Sequence, residues 1–289
     1  MGEYWCVVTR LLPLLVLALL SAACSAAPAA PTPGPTPGPT PASTGSAQSS
    51  PARGRVSLDR PEGRRDALVV HPASAGPGAP LVLVMHGSGG TAEEMDGLGF
   101  DALAARDGVV VAYPQGQDTT WNAGGCCGSA AAHRVDDVGY LNALVATLAT
   151  RDGVDPARVY ALGFSNGAMM SYTWACAGGR LAGIGPVAGA LTGPCPSPAP
   201  VSVVALAGSA DDRVRIDGRP DRGWASLDAT LAPFLAGCGA PTTPGDPGLT
   251  TWTCGNGRSV TRDILDGQGH SWPDSATGLL WERLGIRPA

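Results

Sequence analysis

Four apolar runs of strand length, the last broken only by Ser202, punctuate the chain: Leu81-Val82-Leu83-Val84-Met85, Val109-Val110-Val111-Ala112-Tyr113, Val159-Tyr160-Ala161-Leu162 and Val201-Ser202-Val203-Val204-Ala205-Leu206-Ala207. A strand that alternates apolar and polar positions has one wet face. Continuous runs predict strands buried on both faces, as in a parallel sheet covered by helices. Between them lie stretches with helical spacing and few breakers, at residues 100–106, 136–150, 168–175, 224–236 and 277–284. Asp136 stands where a helix N-cap is needed. Residues 64–71 read as an entry strand stopped by Pro72, 184–187 as a weak strand, and 250–253 and 260–265 as edge strands. Strands alternating with helices define an α/β class with a largely parallel central sheet, helices on both faces and right-handed crossovers. In such sheets function collects where strands end at their carboxyl edge.

The two termini of the pattern differ from its middle. Residues 11–20 are apolar but too few to span a bilayer. They follow Arg10 and end in Ser21-Ala22-Ala23-Cys24, so residues 1–23 read as an export signal. Cys24 after two small residues resembles a bacterial lipobox, which would make it a lipidated N-terminus. Ser21 stands where Leu is usual, and Glu3 adds an acid to the short basic region. Simple secretion and a retained anchor remain the alternatives. Residues 24–55 contain a Pro/Thr/Gly run without large apolar residues, which favours an extended, semi-stiff spacer. Residues 56–289 are then one catalytic-size domain, extracytoplasmic, either lipid-anchored to the outer face of a bacterial membrane or secreted, and expected to be a monomer.

Charge narrows the partners. The formal net charge is −5 and no basic cluster occurs, so nucleic acid is not expected. Export changes how the cysteines read. Beyond Cys6 and Cys24, six remain, and an even number in an exported chain predicts disulfides. Cys238 and Cys254 flank a Pro/Gly-rich loop and are expected to close it. Cys126 and Cys127 are adjacent and are not expected to pair with each other. Their expected partners are Cys176 and Cys195, tying two distant loops together. No Cys/His spacing suits zinc.

The chemistry concentrates after the strands. Gly163-Phe164-Ser165-Asn166-Gly167 joins the 159–162 strand to the 168–175 helix. With 41 Gly in 289 residues the bare G-x-S-x-G pattern is weak. Its strand–turn–helix setting makes it a nucleophile elbow, which holds a serine hydroxyl clear at a helix N-terminus. Ser165 needs a base. Of the four histidines, His270 lies on a glycine-containing loop past the last strand and can reach across the sheet edge. His86 is expected to shape its own turn through a ring hydrogen bond. Asp211 follows the 201–207 strand and is placed to orient the base, with Asp212 as the alternative. The oxyanion donors are expected to be the backbone N–H groups of Asn166 and Ser88, the latter on the loop His86-Gly87-Ser88-Gly89-Gly90. Trp121, Asn122 and Trp272 are candidates to line a cleft; packing of their own loops is the other reading for the two tryptophans.

Taken together, Leu83–Gly90, Trp121-Asn122 with its Cys pair, Asp136-Asp137-Val138-Gly139-Tyr140, the Gly163–Met170 stretch, the Gly208–Asp211 loop and Gly269-His270-Ser271-Trp272-Pro273 resemble the secreted poly(3-hydroxybutyrate) depolymerase-like esterases. These are related to the feruloyl and acetylxylan esterases of carbohydrate esterase family 1. The resemblance covers about residues 60–289. It implies an α/β-hydrolase fold and a serine carboxylesterase with Ser165, Asp211 and His270 as its triad, acting through an acyl-enzyme. It implies no metal or organic cofactor and an ester of a polyester oligomer or of plant polysaccharide as substrate. One departure is that Ala207-Gly208 stands where the family often has His-Gly. A peptidase or amidase on the same fold, and a non-catalytic binding lipoprotein, are the competing classes.

Overall fold

The computed structural model describes residues 52–243 and 245–288; the expected signal segment, Cys24 and the linker up to residue 51 lie outside them. Ten strands form one sheet: β1 (Ala52–Arg60), β2 (Gly63–His71), β3 (Leu81–Met85), β4 (Val110–Pro114), β5 (Val159–Phe164), β6 (Gly183–Val187), β7 (Ser202–Gly208), β8 (Cys238–Thr242), β9 (Leu249–Cys254) and β10 (Ser259–Leu265). Their spatial order is β1-β2-β4-β3-β5-β6-β7-β10-β9-β8. The six central strands, β4 to β10, run parallel; the β1–β2 pair and the β8–β9 pair add antiparallel margins.

Two-sided burial explains the apolar runs. Every residue of β3 is fully buried, and its alternate side chains enter different cores. Leu81, Leu83 and Met85 join one core with α4 (Asp137–Asp152), α5 (Asn166–Cys176) and α6 (Leu227–Leu231). Val82 and Val84 join the other, with α1 (Ala92–Asp96), α2 (Phe100–Asp107) and α7 (Ala276–Arg283). The remaining helix, α3 (Gly128–Ala132), lies within the long loop after β4. Asp136 caps α4 as its position suggests, its Oδ1 accepting from Gly139 N–H at 2.9 Å. Among the described residues no helix is long and apolar enough to cross a membrane.

Four expectations change. The strand β1 begins inside the stretch read as linker, and it pairs along its length with β2. The segment 260–265 is not an edge: β10 lies between β7 and β9, and β9 is itself covered by β8. The segment 224–236 is not one helix. Ser226 caps α6, its hydroxyl accepting from Ala229 N–H, and a tighter 3₁₀ turn then runs over Ala232–Leu235. Pro233 lacks the N–H that a continuing α-helix would use.

The fourth concerns cysteine. Cys238 pairs with Cys254 as expected, but across the β8–β9 ladder, where the two are register partners. Cys126 is joined to Cys127, and Cys176 to Cys195, contrary to the expected cross-links between the two pairs. Cys176 ends α5 and meets Cys195 with a Cα separation of 5.1 Å, ordinary for a bridge. That pairing uses both supposed partners of the Cys126 loop. The adjacent cysteines close on each other, with a cis peptide bond between them.

Candidate active site

The elbow is built by close approach of backbone. Ser165 sits between β5 and α5 at φ 52°, ψ −113°, a region that L-residues enter only when the surroundings impose it. Its N–H donates to Val187 O at 2.9 Å, so β6 holds the turn from one side. A Cβ at Gly163 would lie 2.5 Å from the carbonyl carbon of Gly167, and one at Gly167 would lie 2.3 Å from Met85 O. Both contacts are forbidden to a side chain, so the two glycines are what let strand, turn and helix pack this closely.

His270 and Asp211 come to the serine from separate loops. His270 Nε2 stands 3.0 Å from Ser165 Oγ, and His270 Nδ1–H donates to Asp211 Oδ2 at 2.7 Å. The other oxygen of Asp211 accepts from the N–H groups of Arg213 (2.9 Å) and Val214 (2.8 Å). The carboxylate is thereby locked in one orientation, and its side chain is fully buried. Asp212, the alternative, is exposed, and the imidazole hydrogen-bonds to Asp211 instead. The two loops are laced together: Ala210 N–H donates to Gln268 O, and Gly267 N–H donates to Ser209 Oγ at 2.8 Å. A Cβ at Gly208 would meet Gln268 O at 2.1 Å, so this lacing also depends on a glycine. The Phe164 ring packs 5.0 Å from the His270 ring.

The glycine loop after β3 passes beside the serine. A Cβ at Gly87 would be 3.5 Å from Ser165 Cβ. The Gly89 N–H is used by Thr119 O and the Gly90 N–H by Gly87 O, whereas the Ser88 and Asn166 amides have no protein acceptor among the described residues. His86 shapes the loop, as expected. It is fully buried, its Nδ1–H donates to Gly87 O at 2.7 Å, and its Nε2 accepts from Gly116 N–H at 2.9 Å. Burial pushes its pKa below the usual imidazole value. The neutral ring is therefore favoured in the fold. Stability from this residue is present above about pH 6.5, the unfolded value, and is lost as pH falls below it toward the depressed folded value. Denaturant titrations should show wild type losing up to about 1.4 kcal/mol per pH unit below 6.5 more than His86→Gln. Parallel pH profiles for the two proteins would refute the burial of a neutral ring.

The aromatic candidates separate. Trp121 does not line a cleft: it is fully buried, its Nε1–H donates to His86 O at 3.0 Å, and it packs on the His86 ring. Asn122 is also structural. Its Nδ2 donates to Val135 O and its Oδ1 accepts from Gly124 N–H. Trp272 lines a hollow of about 300 Å³ with Met95, Leu98 and Phe164, on the far side of the glycine loop. The main cleft, about 830 Å³, is bounded by Ser165, His270 and Ser88. One wall is the Cys126–Cys127 loop and the other is the segment from Asp212 to Trp224.

Two features were not anticipated. The Asn166 side chain clamps the Trp121 backbone, its Oδ1 accepting from Trp121 N–H at 2.8 Å and its Nδ2 donating to Trp121 O at 3.0 Å. Behind this clamp lies a buried ion pair, Arg65 Nη2 to Asp137 Oδ1 at 2.6 Å, whose other carboxylate oxygen accepts from Asn122 N–H at 2.7 Å. Among the described residues no three His, Cys, Asp or Glu side chains stand together as metal ligands.

No protein-family model matches the chain. It is 32% identical over 249 residues, 73% of its length, to "Putative esterase NocK" of Nocardia uniformis subsp. tsuyamanensis, and covers 72% of that protein. The chain belongs to this esterase family. The esterase is also 28% identical over 234 residues to feruloyl esterase B of Piromyces equi, 69% of this chain but 41% of that protein. Its fold is that of the acetyl xylan esterase from Aspergillus awamori, with a TM-score of 0.60 at 15% identity over 81% of this chain and 99% of the other. The esterase thus has the α/β-hydrolase fold, with an open, mostly parallel sheet.

Proposed function

We propose that the esterase is an exported serine carboxylic-ester hydrolase in which Ser165, His270 and Asp211 are the catalytic triad. The observation that carries this reading is the unbroken line from Ser165 Oγ through both nitrogens of His270 to Asp211. In the first step Ser165 Oγ attacks the ester carbonyl while His270 Nε2 takes its proton. Asp211 holds the Nδ1–H tautomer and stabilises the imidazolium. The oxyanion is received by the N–H groups of Ser88 and Asn166, the latter at the N-terminus of α5, where the helix dipole favours negative charge. His270 returns the proton to the leaving alcohol, and water then releases the acid by the same route. Three disulfides suit an oxidising compartment. Cys24 would be the lipidated terminus and residues beyond it the tether.

The substrate is an ester of a hydroxy-acid oligomer or a feruloyl or acetyl ester of polysaccharide. Feruloyl esterase B is a relative named for the second group. A panel of p-nitrophenyl acetate, methyl ferulate, acetylated xylan and 3-hydroxybutyrate oligomers tests both levels. The expected result is hydrolysis of p-nitrophenyl acetate and a kcat/KM at least about tenfold higher for one natural class. No turnover of any of the four above a no-enzyme blank would end the hydrolase reading.

A further inference from the structure

The wall of the cleft opposite the cysteine loop carries charge of the wrong sign for this chain. The protein has a net charge of −5. Yet Arg213, Arg219 and Arg222 line the cleft beside Ser165 and His270, against one carboxylate, Asp212. Arg219 is paired, its Nε and Nη2 donating to Asp221 at 3.1 and 2.9 Å. Arg213 and Arg222 enter no ion pair among the described residues. Neither is loosely attached. Arg213 donates its backbone N–H to Asp211, so it is tied to the triad itself. The Arg222 guanidinium lies over the Trp224 ring, 5.1 Å from its centroid, a stacking that orients its planar fork. The facing wall is Gly125, the Cys126–Cys127 bridge and Gly128, which carries no charge. A substrate in the cleft therefore meets cations from one side only.

We propose that this cleft selects esters that carry a carboxylate, bound by Arg213 and Arg222 while the ester carbonyl lies at Ser165. The proposal rests on the serine-esterase reading and sharpens its substrate class. Guanidinium forks match carboxylate geometry bidentately, and a concave site concentrates the field of its charges. Of the substrates above, hydroxy-acid oligomers end in a free carboxylate, whereas feruloyl and acetyl esters of neutral polysaccharide do not. The arginine wall points to the oligomers.

The test compares monoethyl with diethyl esters of succinate, adipate and suberate, three spacings between ester and carboxylate. Each kcat/KM is taken per ester group. Both arginines are exposed to solvent at the cleft wall, so a modest preference of about fivefold for the monoanion is expected at its best length. In the double variant Arg213→Gln/Arg222→Gln, and in wild type at 0.5 M salt, the ratio should fall toward one. The double lysine variant should keep part of it. A wild-type ratio at or below one at every length, or a ratio that survives the double glutamine change, overturns the proposal. Failure of the underlying chemistry looks different, since neither series nor p-nitrophenyl acetate would then be turned over. Calorimetric binding of adipate dianion to Ser165→Ala reads the anion site without hydrolysis. Salt-sensitive binding that the glutamine pair removes supports it, and absence of binding overturns it.

Discussion

Ser165→Ala should lower kcat/KM for p-nitrophenyl acetate by roughly 10⁴- to 10⁶-fold while leaving the melting temperature close to wild type. The effect is large because only the hydroxyl lies in line with His270 Nε2, at 3.0 Å. It is not structural, because the elbow is held by backbone: the Ser165 N–H to Val187 and the glycine contacts at 163 and 167. Adding His270→Ala to Ser165→Ala should cost little more, since the base has no purpose without its nucleophile. Asp211→Asn alone should cost roughly 10⁴-fold, through loss of the Nδ1–H tautomer rather than loss of fold. Retention of more than about a hundredth of wild-type activity by Ser165→Ala would remove Ser165 from the chemistry.

The parts of this fold that the sequence made legible are those where burial and backbone sterics leave little choice. An uninterrupted run such as 81–85 has only a two-faced interior to occupy, and β3 is there. Gly163 and Gly167 flank a serine whose neighbours leave no room for a Cβ. The proposed triad was legible for a topological reason: Ser165 and Asp211 follow buried strands, His270 follows the strand parallel to β7, and parallel strands deliver their ends to one rim. The margins were opaque. In β1 most residues are exposed and only Val56, with Leu58 beside it, reaches the core, so its strand pattern is weak and pairing with β2 defines it. β8 is equally exposed and contains Gly239 and Pro241, so its pattern reads as loop.

Within the site, what failed was anything that depended on which way a loop side chain turns. A tryptophan on a loop next to glycines is as ready to line a cleft as to plug a core. Trp121 plugs the core because its indole N–H finds His86 O there and its ring covers the buried imidazole. The expected pairings of Cys126, Cys127, Cys176 and Cys195 failed similarly, since spacing says nothing about which loops meet. The arginine wall belongs to a long irregular segment between β7 and α6, where no periodicity marks the side that faces the serine.

Asp137→Ala should be strongly destabilising, at about 3–5 kcal/mol. Arg65 and Asp137 are 72 residues apart, and their side chains are 1% and 0% exposed. Asp137 is tolerable in the interior because of Arg65, and Arg65 because of Asp137 together with Glu62 Oε1 at 3.2 Å and the Tyr140 ring 4.1 Å from its guanidinium. Removing the carboxylate takes from a buried cation the closer of its two anionic partners and leaves the Asn122 N–H without its acceptor. The melting temperature should fall by roughly 6–20 °C. Activity should decline even where the variant is folded, because the freed loop is the one whose Trp121 backbone holds Asn166, and Asn166 supplies a proposed oxyanion donor. The double change Arg65→Met/Asp137→Leu separates charge from packing. It leaves no charge at the two fully buried positions, and the part-exposed Glu62 can be met by water, so it should recover much of the lost stability. It does not restore the Asn122 contact, so it should recover less of the activity. Equal recovery of both would mean that the pair serves stability alone and that the elbow is held without it.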